Sequence, residues 1–246
     1  SGVFDATVLT NYGVICMKTR RIDKAKSLFK LAIKKFPEKA EVYNNLGSIY
    51  KSENNIKEAL ICFNKAVNLK EDYIDAHYNL GSLYLHQNNI KQAYIHTEKT
   101  IKLEQNNAKA YVNMGKIARI KGDLDKAKIY LMKAIEIDKK LAIAYLNLGG
   151  TLREQNNVIE AENATKEAIK LNNSSDAHYN LSGILIEQGK LKEAEKHLYK
   201  SIEIEKNRTD AYFLLSNLID INRDVELVKE LFKINPEELN TSKKIN

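Results

Sequence analysis

A unit of about 34 residues recurs seven times along this chain and leaves almost nothing over. The segment YNNLGSIYKSENNIKEALICFNKAVNL from Tyr43 aligns with HYNLGSLYLHQNNIKQAYIHTEKTIKL from His77, YVNMGKIARIKGDLDKAKIYLMKAIEI from Tyr111 and YLNLGGTLREQNNVIEAENATKEAIKL from Tyr145. Weaker copies begin near Ala6, Ser175 and Thr209. A period in this range belongs to stacked supersecondary units, none of which can bury its apolar face alone. The core then grows along one axis, and such stacks present a surface rather than an enclosed pocket. The repeat therefore overrides the one or two globular domains that 246 residues would ordinarily suggest.

Within each unit the apolar residues follow helical spacing, as at Tyr111, Met114, Gly115 and Ala118, and again at Leu124, Ala127, Leu131 and Ala134. Lys121-Gly122-Asp123 separates the two stretches, and the equivalent breaks are Asn54-Asn55, Asn88-Asn89, Asn156-Asn157 and Gly189-Lys190. These residues tolerate the left-handed backbone that a tight turn needs. Each unit is thus expected to be an antiparallel helical hairpin, joined to the next without a linker at Phe36-Pro37-Glu38, Glu71-Asp72, Gln105-Asn106, Lys139-Lys140 and Asn173-Ser174. Only two prolines occur, which suits continuous helix. The expected boundaries are 6–39, 40–73, 74–107, 108–141, 142–174, 175–208 and 209–235, forming one domain over 6–235. Asn235-Pro236 reads as an N-cap with proline in the first turn of a short capping helix, within 236–246, and the tail from 240 is expected to be disordered. Glycine recurs inside the first helix at Gly13, Gly47, Gly81, Gly115 and Gly149, where each costs about 1 kcal/mol against alanine. A close crossing against Ala25, Ala59, Ala93, Ala127, Ala161 and Ala194 of the second helix would account for it.

No run approaches about 18 apolar residues, so no transmembrane helix is expected. The Ser1-Gly2 start reads as an expression scar with residues upstream removed, and no basic-then-apolar signal segment follows it. Cys16 and Cys62 fall at different repeat positions and cannot make a disulfide framework, so both are expected as reduced thiols in a cytoplasmic protein. His77, His86, His96, His178 and His197 show no zinc-ligand spacing, and the shared repeat position of His77 and His178 points to packing. Net charge is +7 but uneven: residues 175–246 carry 11 Lys and Arg against 13 Asp and Glu, and the remainder 28 against 19. The basic residues are scattered among acidic ones, with no Lys/Arg block or nucleic-acid module, which argues against a nucleic-acid partner.

The units resemble tetratricopeptide repeats. The family pattern is met in the second unit by Tyr43, Leu46, Gly47, Tyr50, Ala59, Phe63 and Ala66, and the resemblance extends over 6–234. Only Pro37 keeps the family's loop proline, Thr97 and Thr165 replace a bulky residue, and the last unit has Ser216 for glycine and Val228 for alanine. The resemblance implies an all-α, right-handed superhelical solenoid of seven antiparallel helix-turn-helix repeats, closed by the short C-terminal helix. It also implies that one face of every first helix lines a concave peptide-binding groove.

Lys109, Asn113 and Lys116 lie nearly opposite the apolar side of their helix, on that face. One groove position is asparagine six times, at Asn11, Asn45, Asn79, Asn113, Asn147 and Asn180. A primary amide both donates and accepts, so such a row could hold an extended peptide backbone, or simply solvate the groove and bond neighbouring helices. It resembles the asparagine ladder in the repeat region of O-linked N-acetylglucosamine transferases. Lys109, Lys116, Arg119 and Arg153 make a basic centre, with no compensating carboxylate at most neighbouring groove positions, which suits an acidic or terminal carboxylate; the alternative is that they are solvated or pair with Glu154 and its neighbours. Tyr78, Tyr179 and Phe213 supply aromatic groove candidates, and Ile143, Leu146 and Ile186 make the later groove more apolar. Co-chaperones of the family clamp a terminal carboxylate with lysine, asparagine and arginine; Lys109 and Asn113 fit parts of that pattern, but Asn44 and Ser48 stand two repeats earlier at the lysine and asparagine positions.

No phosphate loop, dinucleotide fingerprint, metalloprotease helix or nucleophile elbow occurs. The expectation is a non-enzymatic scaffold, without cofactor or metal, that binds a protein or peptide partner. Two alternatives stay open: the substrate-recognition segment of a larger enzyme such as a glycosyltransferase, and a scaffold that self-associates through its end repeats.

Overall fold

The structure, a computed structural model, describes residues 5–218. Among them are thirteen α-helices and no strand. The second helix expected for the seventh unit, the N-cap at Asn235 and the capping helix lie outside the described residues. The helices divide between two compact units, residues 1–117 and 118–246, with the division inside α7 (Ala108–Ile120).

In the first unit, α1 (Ala6–Lys18) packs on α2 (Ile22–Lys35), α3 (Ala40–Ser52) on α4 (Ile56–Leu69), and α5 (Ile74–His86) on α6 (Ile90–Leu103). α2 also packs on α3 and α4 on α5, and successive first helices touch, α1 with α3 and α3 with α5. The second unit repeats this arrangement. There α8 (Leu124–Ile137) packs on α9 (Ala142–Glu154), α9 on α10 (Val158–Leu171), α11 (Ser175–Glu187) on α12 (Leu191–Ile204), and α12 on α13 (Thr209–Leu218).

The turns inside the hairpins use the residues expected of them. Asn54, Asn88 and Asn156 have φ of 56°, 55° and 60°, and Gly122 and Gly189 have 79° and 72°. In three of these hairpins the next residue caps the second helix: Asn55 accepts from the Glu58 amide, Asn89 from Gln92 and Asp123 from Lys126, whereas Asn157 and Lys190 make no side-chain cap bond. The first hairpin does the same with Arg20, at φ 58°, and its N-cap Arg21 makes no side-chain cap bond.

The second helices contribute a repeating buried triad, Ala25-Phe29-Ala32, Ala59-Phe63-Ala66, Ala127-Leu131-Ala134 and Ala161-Thr165-Ala168. The recurrent glycines meet the middle member of this triad, not the alanine side chains. A methyl group at Gly13 would strike the Phe29 ring, at Gly47 it would lie 2.7 Å from Phe63 Cε1, and at Gly81 2.6 Å from Thr97 Oγ1. At Gly149 it would strike Thr165 Oγ1, with the Ala161 carbonyl oxygen 3.2 Å away. At Gly81 and Gly149 the alanine of the second helix enters through its backbone carbonyl oxygen.

Candidate functional site

In the first unit, the positions that the sequence assigns to a groove lie on α1, α3, α5 and the start of α7. Asn11 is exposed, Asn45, Tyr78 and Asn79 are half-buried, and Asn79 Nδ2 donates to Asn44 Oδ1 of the preceding first helix at 3.0 Å. That bond ties α5 to α3 on the groove side and gives this rung of the asparagine row a structural partner. Lys51 reaches across the same seam to Ser82 Oγ at 3.2 Å, and burial lowers its ammonium below the ordinary lysine value. Burial likewise raises the Tyr78 phenol. On α7, Lys109 is exposed and Lys116 half-buried, while Asn113 is only 6% exposed. The Asn113 Nδ2 is buried without a hydrogen-bond partner among the described residues. A buried amide donor in this state is uncommon, since most such groups find a partner.

The second unit carries Arg119, Asn147, Arg153, Tyr179, Asn180 and Phe213. Asn147 Nδ2 donates to the Ile143 carbonyl of its own helix at 2.7 Å. Arg119 and Arg153 each reach forward to the next first helix and repeat one arrangement. Arg119 Nε lies 3.5 Å from Glu154 Oε1, and Arg153 Nη2 lies 2.7 Å from Glu187 Oε1. Each guanidinium rests over a glycine: a Cβ on Gly150 would come within 2.8 Å of Arg119 Nη1, and one on Gly183 within 2.6 Å of Arg153 Nη1. The two brackets, with Asn180 and Ile184, line an open cavity of about 370 Å³. Tyr179 is covered by the Arg208 guanidinium at 4.6 Å, which is itself paired with Asp176 at 2.6 Å, and Phe213 is 70% exposed on α13.

Both arginines of this face therefore have carboxylate partners: Glu154, which the sequence offers as an alternative partner for the basic centre, and Glu187. Glu154 and Glu187 end their helices at equivalent repeat positions, and Gly150 and Gly183 are equivalent too. That coincidence was the available signal, together with Lys51 at the repeat position of Arg119 and Arg153. These ion pairs are a third to half exposed, so each contributes about 1 kcal/mol or less and leaves the cavity electrostatically mixed.

Among the described residues, no group of three or more His, Cys, Asp or Glu side chains is placed to hold a metal ion. Cys16 and Cys62 are free and buried, and burial pushes the Cys62 thiol up to about 11. No described helix is long and apolar enough to cross a membrane.

Sequence-family comparison matches the tetratricopeptide repeat over residues 6–37, 74–107, 108–141 and 175–208, and a TPR repeat over 47–88. No curated protein sequence matches the chain. Among solved structures, the chain is similar to one in the APC/C hetero-tetramer Cut9-Hcn1, at 20% identity and a TM-score of 0.82 over 88% of its length, and spans 43% of that relative. A tetratricopeptide repeat protein from Parabacteroides merdae matches at 16% identity and a TM-score of 0.73, covering 89% of this chain and 86% of that one. YrrB, a TPR protein with an unusual peptide-binding site, matches at 24% identity and a TM-score of 0.53, covering 76% and 96%. With more than half of its residues matched at the repeat period, the chain belongs to the tetratricopeptide repeat family.

Proposed function

We propose that the chain is a non-enzymatic interaction scaffold, its seven repeats bounded as the sequence pattern divides them, that holds a peptide or helix of a partner protein against its first-helix face. The observation that carries this reading is the cavity on the second unit's first-helix positions, where two arginines, two glutamates and Asn180 converge, the guanidinia resting over Gly150 and Gly183. Pockets with a few convergent polar groups are where ligands dock. The partner chemistry we favour is an acidic side chain or a terminal carboxylate. It would exchange with Glu154 and Glu187 on the two guanidinia, which can each accept a bidentate carboxylate. The preference it confers is a difference between two carboxylates and is correspondingly modest. The Asn113 amide, buried and without a partner, offers a backbone-binding rung in the first unit.

Glu154→Gln with Glu187→Gln separates this reading from a purely structural one. Removing both internal carboxylates leaves the arginines available, so an acidic peptide captured by the natural chain is expected to bind about tenfold more tightly, with a steeper loss on adding salt. Unchanged or weaker binding of that peptide would mean that the brackets only join repeats.

A further inference from the structure

Two segments of this chain are identical, Asp-Ala-His-Tyr-Asn-Leu at 75–80 and again at 176–181. In both, the histidine meets a second histidine 19 residues on: His77 Nδ1 lies 2.9 Å from His96 Nδ1, and His178 Nδ1 lies 2.7 Å from His197 Nδ1. The ring centroids are 5.2 and 5.0 Å apart. The equivalent positions of other repeats are Tyr43 with Cys62, Tyr111 with Tyr130, and Tyr145 with Ala164. Histidine thus occurs at both positions together or at neither.

The other nitrogen of each first-helix histidine fixes the protons. His77 Nε2 is 2.9 Å from the Glu71 carbonyl oxygen, and His178 Nε2 is 2.6 Å from Asn173 Oδ1. An oxygen acceptor there requires Nε2–H on His77 and His178, which leaves their Nδ1 as acceptors in the neutral ring. His96 and His197 must then donate from Nδ1. The first proton taken up by a pair still leaves one N–H between the two Nδ1 atoms but places a charge in a buried site, and the second sets a donor against a donor, so that the bond between the helices is lost.

We propose that the two histidine pairs are proton-sensitive clasps, which hold the first helix to the second in the third and sixth repeats while neutral and release them on acidification. Their surroundings favour the neutral state. His77 and His178 are buried, and the Tyr84 ring stacks on His96 at 5.7 Å. The charged groups near the first pair are Lys99 of α6 and Glu71 of the preceding loop, themselves paired at 3.1 Å. Near the second are Lys200 and Glu193 of α12 and Lys166 of α10. The lysines oppose both a protonated imidazole and a bound divalent cation. Burial lowers all four histidines; Lys99 adds to it at His77 against Glu71, His77 at His96, His197 and Lys200 at His178, and Lys166 at His197 against Glu193, and His96 falls to about 4.

The sign follows from linkage. A histidine depressed in the fold takes up its proton first in the unfolded chain, so the clasp's contribution is fully present above the ordinary value of 6.5 and is lost as pH falls toward about 4. Tyr78 and Asn79 follow His77, and Tyr179 and Asn180 follow His178, so release would reach the proposed groove. That consequence rests on the proposed function, whereas the clasp does not, and denaturation reads the clasp alone.

Equilibrium denaturation of the full chain at about pH 7.5 and about pH 5 should be compared with that of the variant His77→Gln, His96→Asn, His178→Gln, His197→Asn, whose amides can bond without titrating. The folded-to-unfolded ratio of the natural chain is expected to fall by about tenfold or more per pair beyond that of the variant. An equal fall in both overturns the proposal. Should the variant not fold, imidazole NMR of the natural chain decides. Nε2–H on His77 and His178, with Nδ1–H on His96 and His197 and midpoints below 6.5, is expected. The opposite tautomers, ordinary midpoints, or stabilisation by added zinc ion through these rings would each overturn it.

Discussion

Thr97 and Thr165 occupy the repeat position that Phe29 and Phe63 fill elsewhere, yet their hydroxyls have different fates. Thr165 Oγ1 donates to the Ala161 carbonyl at 2.8 Å, while Thr97 Oγ1 is buried without a hydrogen-bond partner among the described residues. An unsatisfied buried hydroxyl costs about 1–3 kcal/mol, and replacing it by a methyl of similar size removes that penalty. Thr97→Val is therefore expected to raise unfolding stability by about 1 kcal/mol, and Thr165→Val to leave it unchanged or lower. Chemical denaturation of the two variants checks this; a loss at Thr97 as large as at Thr165 would show that the Thr97 hydroxyl is satisfied. The sequence marked both threonines as departures from the bulky residue but could not separate them. The difference lies in whether the hydroxyl reaches the carbonyl one turn back, which side-chain identity alone does not settle. The same limit hid the histidine pairs, whose separation of 19 residues has meaning only once the two helices are antiparallel.

The helices and their turns were the most legible level, because each turn needs one left-handed residue followed by one capping residue, and Asn-Asn or Gly-Asp supplies both at once. Asn88 and Asn89 show the division of labour, the first at φ 55° and the second accepting the Gln92 amide at 3.2 Å. Asn157 and Lys190 stand at the capping position without a side-chain bond, and the first hairpin departs further, with Arg20 at φ 58° and an uncapped helix behind Arg21. A Cβ-bearing residue without a short polar side chain is disfavoured there, and the missing cap leaves helix-terminal amides unbonded. Arg20→Asn with Arg21→Asp should restore both functions and stabilise the chain by about 1–2 kcal/mol, against loss of an exposed bond from Arg21 Nε to Thr19 Oγ1. Thermal unfolding checks this, and a lowered melting temperature would mean that the arginines make compensating contacts on α1. The glycines were legible as close-approach points, but their partner was misassigned. Helical spacing gives the face of a residue, whereas the height at which two helices cross is set by the turn that joins them.

At the scale of the whole chain, the period made the architecture readable and the partner unreadable for one reason: the residues that repeat are those that join hairpins, and those that bind must vary. Even the asparagine row divides on inspection, with Asn79 bonded to the preceding repeat, Asn147 to its own helix and Asn113 left with an unpartnered donor. Within each unit, contacts run from a hairpin to its immediate neighbours. Stability in such arrays is a sum of repeat and nearest-neighbour terms, so damage should stay local. Phe63 is fully buried between α3 and α4, against Gly47, and its truncation to alanine is expected to cost about 3–5 kcal/mol. Hydrogen exchange of Phe63→Ala should show protection falling most in α3, α4 and α5, which pack directly around the site, and least in α11 and α12. An equal loss in all of these helices would instead make the chain a single cooperative unit, in which a ligand held at any one repeat would stabilise every other.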